Sequence, residues 1–332
     1  MGVDRSEAHM ADAERAVLAL DIGGTKLAVA VVTEDGRTHG WLVEPTKREE
    51  GPDVIIGRLF DMGRRAISLA GLGAVAAVGI SCGGPLDATT GVLTGPLHLP
   101  GWANVPIVDL AHAEFGVPVV LENDATAAAL GEHRYGAARG ASTVLYLTVS
   151  TGIGGGAIIN NVLHRGAAGN GGEFGHIMVR PGGRLCLCGR YGCLEAYASG
   201  SSIALRARAA LAASAGESSL SAIAVVKAED VAAAAKNGDT LAMELWDDTV
   251  TLLSIAVTDL INTFEPNIVI LGGGVTRSGP LLIDPLRAAV LRDAMPPAAH
   301  AVRIELAGLG DEVCVIGAAA LAFDGIEAGV NA

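Results

Sequence analysis

Along the chain, short apolar runs break abruptly into clusters of glycine. Three segments share this pattern: 17–26 (VLALDIGGTK), 144–156 (VLYLTVSTGIGGG) and 268–275 (IVILGGGV). Apolar runs of about four to six residues ended by turn residues are strand signals, so each segment predicts a buried strand entering a tight turn. Between them the apolar positions follow a helical period. The stretch 239–265 places Leu241, Leu245, Leu253, Val257, Leu260 and Phe264 at helical spacing, and Pro266 ends it just before the strand at Ile268. Ala-rich helices are expected over 124–139 and 202–213, and an apolar helix over 313–323. Strands alternating with helices predict an α/β fold.

The length of 332 residues is about twice that of a typical domain. Polarity changes most sharply near Asn123 and again around 308–311. These breaks predict a small lobe of 16–123 plus 311–332 and a larger lobe of 124–310. Residues 1–15 read as a leader, disordered or added ahead of Met10. DIGGT near the start is echoed by STGIGGG further on, which hints at one plan used twice.

Composition narrows the functional classes. Half the residues are apolar and 18% are charged, ample for a core, while aromatics at 4% leave burial to Ala, Val, Leu and Ile. The 45 glycines exceed the roughly 23 expected at about 7% usage, and they sit at strand ends, as in ligand-approach loops. A net charge of −13 argues against a nucleic-acid or anionic-membrane surface. The uncharged stretches 66–86 and 141–163 are interrupted by Gly, Ser, Thr, Pro or Asn, unlike a spanning helix. Residues 1–15 hold no apolar signal core, so a cytoplasmic globular protein is expected.

The glycine turns are candidate phosphate sites, because glycine lets backbone N–H groups approach and surround an anion. A dinucleotide-binding fold would need G-x-G-x-x-G opening a helix, and none of the three turns has that spacing. In Asp21-Ile22-Gly23-Gly24-Thr25 the carboxylate ends a buried strand, where it can hold Mg²⁺ directly or through water; the plain alternative is an acidic turn residue without a ligand. Ser150-Thr151-Gly152 adds hydroxyls and amides in the same style. Together the two turns point to a bound nucleotide.

Two further constellations carry chemistry. Glu122-Asn123-Asp124 lies between an apolar strand and a helix. Asp124 is therefore either a helix cap or a base that takes a proton from a hydroxyl attacking phosphate. His176, Cys186, Cys188 and Cys193 form H-x9-C-x-C-x4-C, a full tetrahedral ligand set with no position left for water, as structural zinc requires; free core cysteines are the alternative. Cys82 and Cys314, in apolar strand-like runs, read as core. Glu173 and Glu195 bracket the cluster, either as a solvated pair or as carboxylates that a metal knot brings together for hydroxyl recognition.

In series these motifs resemble the ROK family (repressors, open reading frames and sugar kinases), in particular its bacterial glucokinase-like members. DIGGTK at 21–26, GGPLD at 83–87, GWANVP at 101–106, ENDATAAALGE at 122–132, STGIGGG at 150–156, GGEFGH at 171–176, CLCGRYGCLEAYASG at 186–200 and LGGGV at 271–275 appear in order. The resemblance implies a duplicated, actin-like (ribonuclease H-like) ATPase fold of two lobes around a cleft, the last helix returning to the first lobe. It implies Asp124 as general base, and sugar contacts from Gly84, Asn104, Asn123, Asp124, Glu173, His176 and Glu195. His176 would serve zinc and sugar through its two ring nitrogens. ATP phosphates would lie against Gly23, Gly24, Thr25, Lys26, Thr151 and Gly152, with Mg²⁺ at Asp21, and the adenosine against Gly272, Gly273 and Gly274. Thr126 stands where many members carry Asn.

The family also contains DNA-binding repressors, but only about twenty residues precede the first strand here, too few for a three-helix DNA-binding unit. A sugar sensor without turnover would be expected to lack the base or a phosphate loop, and both are present. The expected activity is ATP-dependent phosphorylation of a hexose at its 6-hydroxyl. GWANVP and LEAYASG (194–200) look most like the glucokinase branch, which favours glucose; N-acetylmannosamine and N-acetylglucosamine are the alternatives within the family. Relatives of this kind imply a homodimer or homotetramer.

Overall fold

A computed structural model describes residues 15–213 and 218–329, so the expected leader, apart from Arg15, lies outside the described residues. Contacts divide the chain into two units, Met1–Asp124 with Cys314–Ala332, and Ala125–Val313.

The first unit is built on strands β1 (Ala16–Ile22), β2 (Lys26–Thr33), β3 (Thr38–Pro45), β4 (Val78–Cys82) and β5 (Val119–Asn123), ordered β3-β2-β1-β4-β5. The hairpin strands β1–β2–β3 pair antiparallel, while β1–β4 and β4–β5 pair parallel. Helices α1 (Pro52–Ala70) and α2 (Ile107–Phe115) provide the two parallel crossovers. The first strand is buried along its whole length because both its faces are covered. Leu18, Leu20 and Ile22 pack with Ile55, Leu59 and Met62 of α1. The alternate residues Val17 and Ala19 belong to a second core that includes Val315, Ala318 and Phe323 near the C-terminus.

The second unit begins with α3 (Asp124–Arg134), of which Asp124 itself groups with the first unit. Strands β6 (Val144–Val149), β7 (Ile153–Ile159), β8 (Val162–Leu163), β9 (Ile268–Gly272) and β10 (Arg303–Leu306) take the order β8-β7-β6-β9-β10. Pairing is antiparallel through β6–β7–β8 and parallel through β6–β9–β10. Both sheets therefore have the same strand order and directions. DIGGT and STGIGGG occupy equivalent hairpin turns, β1–β2 and β6–β7, which accounts for their likeness.

Helices α4 (Glu195–Ala198), α5 (Gly200–Ala213), α6 (Ala228–Lys236), α7 (Thr240–Phe264), α8 (Pro280–Asp293) and α9 (Pro296–Ala301) complete this unit, and α10 (Val313–Glu327) carries the chain back to the first. The long α7 starts where Asp239 accepts a hydrogen bond from Ala242 N at 3.0 Å, and it buries Leu253, Val257 and Leu260. No helix among the described residues is long and apolar enough to cross a membrane.

Two expectations need correction. The helix predicted over 124–139 stops at Arg134, because the Glu132 carboxylate captures the Ala137 N–H at 2.8 Å and turns the chain out of register. Cys314 does not lie in a strand-like run but in α10, within the helix expected over 313–323, since its apolar neighbours Val315, Ala318 and Ala319 follow a helical period against the sheet.

Candidate active site

In the first unit, the β1–β2 turn is held in shape by its own sequence. Gly23 N donates to Lys26 O at 3.0 Å, and a Cβ at Gly23 would stand 2.7 Å from that oxygen. Buried Thr46 closes the turn from outside: its hydroxyl donates to Gly23 O at 2.6 Å and its N–H to Thr25 O at 3.1 Å. A Cβ at Gly24 would lie 2.7 Å from His98 Cβ, so this position also requires glycine.

Asp21 sits below this turn, in register with Ser81 and through it with Glu122, so the three form one row across β1, β4 and β5. Ser81 Oγ donates to Asp21 Oδ1 at 2.8 Å. Burial pushes the Asp21 carboxyl up to about 7, the charge of Asp124 adds to the effect, and the Ser81 bond and Lys26 oppose it. Two thiols share this environment. Cys82 and Cys314 are held well above the ordinary thiol range, chiefly by burial and then by the charges of Asp21 and Asp124. Asp21 and Asp124 are thus neighbours electrostatically, one beside the glycine turn and the other at the start of α3. Asp21's oxygens are hard donors of the kind Mg²⁺ takes.

The backbone after β4 lies against the same place. A Cβ on Gly83 would stand 3.7 Å from Asp124 Oδ2, and one on Gly84 would stand 3.6 Å from Asn123 Nδ2. Gly84 O accepts from Leu97 N at 3.2 Å. Asn104 is exposed in its loop and left-handed, with φ of 56°, a conformation that Asn tolerates better than most residues. Gly84, Asn123 and Asp124 are therefore brought together, with Asp21 behind them.

In the second unit, the β6–β7 turn is joined to α5. Gly200 N donates to Ser150 O at 2.7 Å and Ser201 N to Thr151 O at 3.3 Å. The turn after β9 comes close to the same strand, since a Cβ on Gly273 would stand 2.5 Å from Val149 O. Ser150, Thr151, Gly274, Val275 and the facing sides of α5 and α6 enclose a cavity of about 660 Å³. That is large enough for a nucleotide. Thr151 and Gly274 line it directly, and Gly272 and Gly273 lead into it.

The cysteine motif folds into a knot next to this turn. Ligand atoms of His176, Cys186, Cys188 and Cys193 all lie within 4.8 Å of one another. Cys188 Sγ and Cys193 Sγ are 3.7 Å apart, as are Cys186 Sγ and His176 Nδ1. A tetrahedron with zinc–sulfur bonds of about 2.3 Å has edges of about 3.8 Å, so the set fits zinc. His176 turns its other nitrogen, Nε2, towards Glu173 Oε2 at 3.7 Å. Glu195 Oε1 lies 3.9 Å from Cys186 Sγ, while its Oε2 accepts from Ile153 N at 2.8 Å. One carboxylate thereby links the knot to the strand that follows Gly152.

A profile of the ROK family matches residues 17–324. The chain belongs to the ROK family. It is 34% identical over 314 residues to the glucokinase of Thermotoga maritima, covering 92% of this chain and 96% of that protein. The crystal structure of a ROK hexokinase from Thermus thermophilus is similar with a TM-score of 0.80 and 36% identity, covering 95% of this chain and all (100%) of that one. A ROK family glucokinase from Streptomyces griseus, solved in complex with glucose and AMPPNP, has a TM-score of 0.78 and 35% identity, covering 93% and 100%. The two matching sheets of this ROK chain are the duplicated plan of the actin-like ATPase fold.

Several residues that shape the ROK site carry no motif. Thr46, just after β3, and Ser81, in β4, support Gly23 and Asp21 from positions remote in sequence. Behind the knot, buried Arg206 donates to Tyr197 O and Thr249 Oγ1, both at 3.0 Å, and also to Asp248. Arg180 reaches Asp248 from the knot itself at 2.6 Å. The basic residues at the cavity, Arg208 and Lys236 among them, are likewise scattered. In sequence, only their helical spacing from Ser201 and Ala228 marks them.

Proposed function

We propose that this ROK chain transfers the γ-phosphoryl group of ATP to the 6-hydroxyl of glucose. The observation that carries the reading is Asp124, a carboxylate placed at the strand end beside Gly83 and Gly84 and electrostatically coupled to Asp21 at the glycine turn. Phosphoryl transfer needs positioning and charge stabilisation more than covalent help. Asp124 orients the sugar hydroxyl and accepts its proton late in the transfer. Gly84, Asn104 and Asn123, and also Glu173, Glu195 and His176 through Nε2, hold the other hydroxyls. Gly23, Gly24, Thr25, Lys26, Thr151 and Gly152 receive the phosphates, and Gly272, Gly273 and Gly274 face the adenosine.

Two metals belong to this reading. His176 Nδ1, Cys186, Cys188 and Cys193 would hold a structural zinc that fixes Glu173 and Glu195. Asp21 would hold Mg²⁺, which neutralises phosphate charge when bound. The Cys186 thiol is pushed up to about 12 chiefly by burial, so its thiolate needs a cation beside it. The protein works in the cytoplasm, as a homodimer or homotetramer; a light-scattering mass near 33.5 kDa would contradict the assembly.

The direct test is ADP release coupled to product analysis. Glucose and MgATP should yield glucose 6-phosphate and ADP in equal amounts. Absence of turnover with any hexose, in protein that binds ATP, would leave a sugar sensor instead.

A further inference from the structure

The cavity in the second unit has two kinds of end. At one, Ser150 and Thr151 meet the first turn of α5 through the Gly200 and Ser201 N–H groups. From there α5 lines the cavity with Ser201, Ala204 and Arg208, three and four residues apart and hence on one face. At a rise of about 1.5 Å per residue, Arg208 lies about 12 Å along the helix from Gly200. It therefore stands well away from the β6–β7 turn. The facing wall is a similar stripe on α6, Ala228, Ala232 and Lys236, at a spacing of four. Small side chains on both helices leave room for a flat ring, and each stripe ends in a cation.

The charges at the cavity are not equivalent. Lys227 is paired with Glu229 at 3.4 Å, and Arg277 with Asp311 at 2.8 Å. Arg208 and Lys236 have no hydrogen-bond or ion-pair partner among the described residues, in a chain with 36 acidic and 23 basic side chains. Cations without a partner among the described residues, beside small apolar side chains such as Ala204, Ala228 and Ala232, suit the electron-rich face of an aromatic ring, and a planar guanidinium stacks on it especially well.

We propose that Arg208 and Lys236 hold the nucleobase of the phosphoryl donor, setting donor affinity without touching the transferred phosphate. The proposal rests on the assignment of this cavity to the nucleotide. It makes Arg208 and Lys236 determinants of donor specificity: an aromatic base, and not a chain of phosphates, is what they select.

The experiment compares Arg208→Gln, Lys236→Gln and the double variant with the wild type. KM for ATP should rise about threefold to tenfold in each single variant. Turnover at saturation should stay within about twofold and KM for glucose should not move. Three probes then locate the contact, each measured as a competitor against ATP. Adenosine and ADP should both lose affinity in the variants, whereas tripolyphosphate should compete equally well with all four proteins. A loss confined to ADP and tripolyphosphate would mean phosphate contacts and overturn the proposal, as would adenosine affinity unchanged in the double variant. Both side chains are exposed, so unchanged melting temperatures are expected and would exclude misfolding as the cause. If the wild type neither binds ADP nor phosphorylates glucose, the kinase reading itself fails. If it does both and the variants bind adenosine normally, only the base contact fails.

Discussion

Ser81 Oγ donates a hydrogen bond to Asp21 Oδ1 at 2.8 Å, from a neighbouring strand and in register with it. This bond favours the ionised carboxylate, against the burial and the Asp124 charge that bring Asp21 up to about 7. Asp21 must be ionised to hold Mg²⁺. kcat/KM for ATP should therefore fall as pH drops below about 7, the free enzyme's acid limb. Ser81→Ala removes the favourable bond and should move that limb to higher pH, while Ser81→Thr keeps a hydroxyl and should largely restore it. A profile flat from pH 6 to 8, or one that Ser81→Ala leaves in place, would count against Asp21 as the group that titrates.

The same carboxyl makes a prediction about stability. Its folded value near 7 lies above the ordinary 3.8, so the protonated form favours the fold. Asp21's contribution is fully present below 3.8 and is lost as pH rises through 7, by up to the order of 4 kcal/mol. Asp21→Asn should consequently raise unfolding stability at pH 8 and change little at pH 4, in denaturant titrations without metal or nucleotide. It should also abolish turnover. Equal effects on stability at both pH values would show that the charge is not what matters.

What the sequence reveals here is what lies close together along the chain. DIGGT, STGIGGG and LGGGV each put strand and turn in one short segment, and the structure has strand and turn at all three places. Asp239 and Pro266 bound α7 locally in the same way. By contrast, Thr46 reaches the Gly23 turn across 23 residues, and Ser81 reaches Asp21 across 60. Such partners are single hydroxyls, one in an ordinary strand and one just past a strand end, without a pattern of their own. The end of α3 was illegible for a related reason: Glu132 looks like any helix residue until its carboxylate is seen to bind Ala137 N, Gly308 N and Leu309 N.

Asp124→Asn tests the proton acceptor. The amide preserves the shape at the start of α3 but cannot take up a proton at neutral pH. kcat should fall by roughly 10²–10⁴, the scale of general-base loss, with glucose affinity largely kept. Turnover like that of the wild type would remove Asp124 from the chemistry.

The metal knot is tested by taking the metal away. Elemental analysis should find one zinc per chain, and Cys188→Ser should lose most of it. Because Glu195 both adjoins Cys186 and accepts from Ile153 N, loss of metal should weaken glucose binding first. ADP affinity in the α5–α6 cavity should survive, since Arg206, Asp248 and Tyr197 support that region without metal. Fully active protein that contains no zinc would defeat this account.

The sugar itself is decided by what the site does to close analogues. Glu173, Glu195 and His176 Nε2 can accept and donate to the hydroxyls at carbons one and two of an unmodified hexose. An acetamido group at carbon two replaces one of those hydroxyls and adds bulk, so it needs an amide partner and extra room. A site built around a hydroxyl rejects an analogue lacking it much more sharply than one differing by a methylene. Glucose should accordingly give the highest kcat/KM when compared side by side with mannose, N-acetylglucosamine and N-acetylmannosamine. The threshold is a factor of ten, about 1.4 kcal/mol of transition-state preference. If either acetamido sugar exceeds glucose by that factor, the glucose assignment is wrong, while the roles of Asp124 and the zinc knot would stand on their own tests.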